Sequence, residues 1–399
     1  MSADELARDF RRYVCQTSPT PLGIVVARAS GASLWDDDGR EYLDLLSGMG
    51  VANVGHANPA VMATIAAQAA RYLHVMVYGE LVQQPQVELA RQLAALAPGD
   101  LSVTYFTNSG AEAIEGALKL ARKYTGRTRS IAFSGGYHGD TMGALSLCDN
   151  AVYRRPFEPL LGDVDFLPFG SVADLLRIDE SVAGVVIEPI QGEGGVQIPP
   201  EDFLPALRER CDDVGALLIC DEVMTGLGRT GAWFACQHWD VRPDVLVLAK
   251  ALGGGLPLGA FVASADVMQT LSHDPALAHV TTFGGHPLSC AAGSAALDVA
   301  VREGLPHRAA ALGERWREQL SSHIGPALRA VRGRGLLIGL EFATPEMTQS
   351  FCSAALARAV ILNWTLHRDT VVRLAPPLVI SDADSERGLS VIAESIHTL

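Results

Sequence analysis

Val245-Leu-Val-Leu-Ala-Lys250-Ala-Leu-Gly-Gly-Gly255 decides how this chain is read. Five apolar residues have the pattern of a buried strand, closed by one lysine and three glycines. Buried parallel strands are near-continuous apolar runs, and ligands of open α/β sheets sit beyond the carboxyl ends of the strands. Lys250 therefore stands where such a sheet places its chemistry. In a desolvated pocket an ammonium loses its proton more readily, and the neutral amine can form a Schiff base with a carbonyl. A lysine that ends a strand and snorkels to water has the same local pattern, so the rest of the chain must decide.

Upstream, four more apolar runs end in small or polar motifs. Val103-Thr-Tyr-Phe106 leads to Thr107-Asn-Ser-Gly-Ala-Glu-Ala113 and a helical pattern through Lys123. Ser130-Ile-Ala-Phe133 leads to Ser134-Gly-Gly-Tyr-His-Gly139, Val182 to Ile187 leads to Glu188-Pro-Ile-Gln-Gly-Glu-Gly-Gly195, and Ala216 to Cys220 leads to Asp221-Glu222. Strands alternating with helices predict an α/β fold with a mainly parallel sheet between helices, all five motifs lying at one edge. After about Pro287 the rhythm changes to helices at 288–303 and 307–323, a strand Leu336 to Phe342, a helix near 346–358, the strand Val371-Val-Arg-Leu374 and a last helix from about 383. Residues 34–45 read as a hairpin about an Asp-Gly turn. Residues 51–287 are expected to form a large domain and 288–399 a smaller α+β domain that the N-terminal segment 1–50 joins.

Composition sets the outer limits. The 399 residues suffice for two or three domains. With 31 Lys+Arg against 45 Asp+Glu the net charge is −14, which argues against nucleic acid or an anionic membrane as partner. No apolar run reaches the roughly 18 residues of a membrane span, and residues 1–12 lack the apolar core of a secretory signal. Seven scattered cysteines without a CxxC pair suit reduced thiols and a cytoplasmic location. No metal-site spacing is present.

The strand-end motifs carry complementary chemistry. Asn108-Ser-Gly-Ala-Glu112 opens a helix directly after a strand, where free N–H groups and the helix dipole favour an anion; an ordinary serine cap has the same pattern. Asp221 closes a wholly apolar strand, and a carboxylate buried there needs a cation or donors. A protonated ring nitrogen is one such partner, and loop amides are another. Tyr137 sits beside glycines and can stack on a planar ring or serve as a core tyrosine. Gly226-Leu-Gly-Arg-Thr-Gly231 fits GxGxxG, but Asp221 to Thr225 separate it from the strand and the next strand ends in Lys250 rather than an acid, which disfavours a dinucleotide site. A Schiff-base lysine, a carboxylate for a ring nitrogen, a phosphate cradle and a stacking aromatic are together the requirements of pyridoxal phosphate.

On Asn108-Ser-Gly-Ala-Glu-Ala113, Gly136-Tyr-His-Gly139, Glu188-Pro-Ile-Gln-Gly-Glu193, Asp221-Glu-Val-Met-Thr-Gly226, Leu248-Ala-Lys-Ala-Leu-Gly-Gly-Gly255 and Thr282-Phe-Gly-Gly285, the chain resembles the class III (ω-amino acid type) pyridoxal-phosphate aminotransferases. The resemblance runs from about Pro21 to Pro377. It implies the fold type I architecture, with a seven-stranded sheet in the large domain, and a reaction that moves an amino group from a small-molecule amine donor to a 2-oxo acid acceptor in ping-pong fashion. It implies Lys250 as the Schiff-base lysine and proton shuttle, and Asp221 as partner of the pyridine nitrogen. Ser109, Gly110 and Ala111 would bind phosphate, Tyr137 and Val223 would flank the ring, and His138 would lie nearby. Thr282 resembles a residue that reaches the neighbouring subunit's phosphate, hence a homodimer with shared active sites. Arg373 resembles the carboxylate-binding arginine, and Glu193 the glutamate that masks it.

The chain departs from that pattern at three positions. The ornithine, acetylornithine and 4-aminobutyrate enzymes typically carry a substrate-binding arginine where this chain has Asp140. An acid cannot bind a carboxylate, so an amine donor with an uncharged or cationic far end, such as a diamine or amino-sugar-like metabolite, is expected. Met224 stands where several members have a glutamine, and His286 where an asparagine is common. Aminomutases, decarboxylases and racemases share the cofactor, and a non-catalytic homodimeric binding protein could share the fold; the Glu193/Arg373 pair favours transfer.

Overall fold

The computed structural model describes residues 2–399. Its central sheet contains β1 (Val103–Thr107), β2 (Arg129–Phe133), β3 (Val164–Leu167), β4 (Val182–Ile187), β5 (Leu217–Asp221), β6 (Val245–Leu248) and β7 (Gly259–Ala263), in the spatial order β1-β7-β6-β5-β4-β2-β3. Pairing is parallel from β3 to β6, whereas β7 runs antiparallel to both β6 and β1. The reversal follows from chain length. A parallel return needs a crossover of a dozen or more residues, and β6 is separated from β7 only by residues 249–258, which hold a single 3-10 turn. All six residues of β4 are buried. Burial of each large aliphatic side chain there contributes about 1.5–3 kcal/mol, and buried residues pack on both faces of the sheet.

Expectation and structure part at short or Gly/Ala-rich strands. β3, with Asp165 inside it, and β7, Gly-Ala-Phe-Val-Ala, were not foreseen, and both depart from the β-branched and aromatic composition of typical strands. The N-terminal segment begins with an additional helix, Ala3–Tyr13, capped by the reciprocal Ser2–Glu5 bonds and with no residue buried.

Two further sheets flank the large one. Strands Val26–Ser30, Ser33–Asp36 and Glu41–Asp44 form a meander, and the last of them pairs in parallel with Val360–Ile361. The second joins Leu328–Arg334, Leu337–Phe342, Val371–Leu374 and Asn363–Trp364. Trp316, fully buried, anchors the core beside this sheet and donates to the Ser385 hydroxyl at 2.7 Å. No described helix is long and apolar enough to cross a membrane.

Candidate active site

The ends of β1, β2, β4, β5 and β6 converge on one cavity of about 540 Å³. Ser109, Gly110, Ala111, Tyr137, His138, Asp140, Glu193, Asp221, Val223, Lys250 and Arg373 all line it. Thr282 does not; it is exposed on the segment after β7.

The helix Gly110–Thr125 starts at the cavity wall. Ser109 caps it, its hydroxyl accepting the Glu112 N–H at 3.2 Å. First-turn N–H groups of Gly110 and Ala111 have no intrahelical acceptor and are left for a ligand anion. Space at Gly110 is tight, since a Cβ there would meet a Val223 methyl at 3.1 Å. Lys250 begins the turn after β6 with φ +50°, in the left-handed region that side chains rarely occupy. Such strain persists where the surrounding structure holds it, often at functional positions. Burial, with the Arg373 charge second, pulls the Lys250 ammonium below its usual range against the opposing acids Glu193, Asp221 and Glu188. Its Nζ has the Met224 thioether sulfur 3.5 Å away.

Asp221 is buried. One carboxylate oxygen lies 2.7 Å from His138 Nδ1, and the other accepts the Val223 N–H at 3.0 Å. Burial by itself would lower the His138 pKa, but the Asp221 hydrogen bond and charge, with Glu188 beyond, raise it overall. Glu222, the other half of the acidic doublet, faces away and takes the Thr225 hydroxyl and the Ala235 and Cys236 N–H groups. Arg373 and Glu193, 180 residues apart in sequence, form a buried ion pair. Burial favours the neutral form of Glu193, yet the guanidinium beside it holds its carboxyl below the usual range. Arg373 Nε, also buried, has no hydrogen-bond partner among the described residues.

Asp140, exposed at the rim, accepts the Tyr137 hydroxyl at 2.8 Å. Burial, and then that bond, push the Tyr137 phenol above its ordinary value. His286 caps the helix Pro287–Arg302 through Nδ1 and stacks on His74 at 5.5 Å between ring centroids.

Glu188 is a site residue that its motif alone does not single out. In the structure its two oxygens accept the N–H groups of Tyr137 and Gly192, each at 2.9 Å, and burial pushes its pKa up to about 7 despite the His138 charge. The signal was present: Glu188, like Asp221, closes an all-apolar strand. Met49, whose sulfur lies 3.6 Å from an Arg373 Nη2, carried no such signal.

The family model "Aminotransferase class-III" matches residues 14–396. This chain belongs to the class III aminotransferases. It is 44% identical to the acetylornithine aminotransferase of Methanopyrus kandleri over 400 residues, covering 100% of this chain and 99% of the relative. It is also 44% identical to the putrescine aminotransferase of Pectobacterium atrosepticum over 407 residues, covering 98% of this chain and 86% of the relative. The structure of the ornithine aminotransferase of Toxoplasma gondii, with partial occupancy of pyridoxal phosphate at its active site, superposes with a TM-score of 0.92 at 32% identity, covering 100% of this chain and 94% of that one. The protein is thus a pyridoxal-phosphate-dependent aminotransferase of fold type I. Its cavity fits that cofactor: a partly buried amine faces a soft sulfur, a buried carboxylate has acceptor capacity left, and first-turn N–H groups await an anion.

Proposed function

We propose that this aminotransferase moves the amino group of a primary amine carrying a second, cationic end to a 2-oxo acid, as a homodimer with shared sites. The observation that carries the reading is Asp140 at the cavity rim. Its partner there is a neutral hydroxyl, whereas the deeper Glu193 and Arg373 offset one another. The rim therefore presents a net negative charge to the far end of a donor. A diamine satisfies it, in line with the putrescine-named relative, and a far carboxylate would be repelled.

Pyridoxal phosphate would be held by Lys250 through its amine, by Asp221 at the ring nitrogen, by Ser109, Gly110 and Ala111 at the phosphate, and between Tyr137 and Val223. Bound there, it supplies the electron sink that lets an amine's α-proton be removed and its amino group be stored and passed on. Lys250, its proton affinity lowered by burial, takes that proton and later returns it. Asp221, itself positioned by His138, keeps negative charge behind the ring. Arg373 takes the carboxylate of the 2-oxo acid when Glu193 moves off it, and the closed pair adds no net charge to the pocket for an amine donor. Alternate use of one pocket by donor and acceptor makes the kinetics ping-pong.

Exposed apolar residues on two segments support the dimer. Leu73, Met76 and Tyr78 on one and Leu277, Val280 and Phe283 on the other are exposed, and the segments meet where His74 packs on Phe283 at 4.9 Å. Thr281, next to Thr282, is tied to Asn108 at 3.0 Å, so this face borders the phosphate cradle. All seven cysteines are free, which suits a reducing, cytoplasmic setting.

The test of substrate class is a donor panel with 2-oxoglutarate and pyruvate as acceptors. The wild type should prefer diamines to ω-amino acids, and Asp140→Asn should narrow that preference about tenfold, the size of one lost charge contact of about 1.4 kcal/mol. A wild-type preference for donors with a far carboxylate would refute the reading. Sedimentation should give the mass of two 42.3-kDa chains, and Thr282→Ala should weaken cofactor retention; a monomer that binds cofactor and turns over would exclude shared sites.

A further inference from the structure

The Gly226–Gly231 stretch, which imitates a dinucleotide loop in sequence, encloses a buried arginine. Arg229 is 1% exposed, and its guanidinium has no carboxylate among its hydrogen-bond partners. One Nη donates to the carbonyls of Leu336 and Pro376 at 3.1 and 2.6 Å. The other donates to Asn53 Oδ1 at 2.6 Å and the Ser47 hydroxyl at 3.3 Å. Arg229's own carbonyl accepts the Leu336 N–H at 3.0 Å. Burial, and then the Arg373 charge, lower its pKa to about 9, with Asp44 opposing. Burying a guanidinium without a counterion is costly, so the geometry it maintains merits explanation.

Its partners flank Arg373 on two sides. Pro376 lies three residues beyond Arg373, and the adjacent Ala375 accepts the Ser47 hydroxyl at 2.7 Å and donates to the Leu45 carbonyl at 2.8 Å. Ser47 and Asn53 bracket the turn holding Met49, which touches Arg373, and Val51, which lines the cavity. Asn53 also donates to the Leu227 carbonyl at 3.2 Å, in the loop that carries Arg229. Four pieces of chain distant in sequence therefore meet at one planar fork: the loop after β5, the 47–53 turn, the turn at Leu336 and the end of the strand bearing Arg373. A guanidinium offers five donors in fixed directions, which an ammonium cannot reproduce.

We propose that Arg229 is a positioning residue that holds Arg373 and the Met49–Val51 wall in register for 2-oxo acid recognition. The proposal rests on the reading of Arg373 as the carboxylate-binding group. Arg229 does not line the cavity; it acts through the backbone at residues 375–376 and through the 47–53 turn.

The test compares the two half-reactions of the holoenzyme in single-turnover absorbance measurements, for Arg229→Lys, Ser47→Ala and Arg373→Gln. Arg229→Lys should raise the apparent Kd for the 2-oxo acid about tenfold or more, as expected when a distant change misplaces a binding group, while the amine half-reaction changes by less than about threefold. Ser47→Ala, which cuts the link to Ala375 and removes the longest of the four acceptors of Arg229 while leaving the guanidinium in place, should act in the same direction by about threefold, and it decides the matter if Arg229→Lys does not fold. Equal losses in both half-reactions, or an unchanged 2-oxo acid Kd in Arg229→Lys and Ser47→Ala while Arg373→Gln raises it, would overturn the positioning role. If Arg373→Gln itself leaves that Kd unchanged, the reading of Arg373 fails and the proposal falls with it.

Discussion

Lys250→Ala should yield a folded protein whose amino-group transfer is reduced by at least about 10³-fold, within the range for loss of a general base alone. Among the described residues Lys250 is the one lysine that lines the cavity. No other amine there could hold the cofactor or carry the α-proton. Its backbone already sits at φ +50°, a conformation whose cost falls on alanine as on lysine, so the substitution adds no strain. Removing a partly buried amine with one soft contact leaves no hydrogen-bond acceptor newly orphaned apart from the Met224 sulfur. Turnover with a diamine and 2-oxoglutarate, and borohydride fixation of the cofactor to the chain, provide the readouts. Wild-type turnover, or fixation at another residue, would sink the assignment of Lys250.

Asp221→Asn should fold and lose about 10²- to 10³-fold in turnover. Losing one preorganised electrostatic contact at the reacting group typically costs about 10²- to 10³-fold in turnover. The change keeps shape and removes the negative charge that faces both His138 and the proposed ring position. A pH signature separates this from general damage. The raised His138 pKa means that the folded state holds the proton more tightly than the unfolded chain. That contribution is fully present below the unfolded value of about 6.5 and is lost as pH rises through the folded value. The difference in Tm between wild type and Asp221→Asn should therefore be widest at about pH 5–6.5 and shrink above it. A pH-independent difference would mean that His138 does not titrate with Asp221. Turnover near the wild-type level would remove Asp221 from the chemistry.

Most of the large sheet was legible because its strands are long, apolar and closed by polar motifs. Val182–Ile187 has the bounds its composition predicts, as does Val371–Leu374 in a smaller sheet. The cavity-lining residues from Ser109 to Lys250 were legible for the same reason: polar groups at the ends of buried parallel strands share one edge whatever their separation in sequence. Two strands of the large sheet were hidden. Gly259–Ala263 consists mostly of small residues, and its place between β1 and β6 is set by packing, since Gly116 of the covering helix leaves room for Phe261. Val164–Leu167 is a short strand at the sheet edge.

The sequence by itself determined the type of chemistry, because a lysine, a carboxylate, a glycine-lined helix start and an aromatic each end an apolar run, and that local pattern survives any arrangement of the strands. Tertiary structure alone decided which distant groups meet. Glu193 closes on Arg373, Glu188 holds Tyr137 and Gly192, Asp140 takes the Tyr137 hydroxyl, and Arg229 ties the 47–53 turn to residues 336 and 376. Periodicity records which face of an element is buried, whereas the partner of a buried charge depends on how those faces pack.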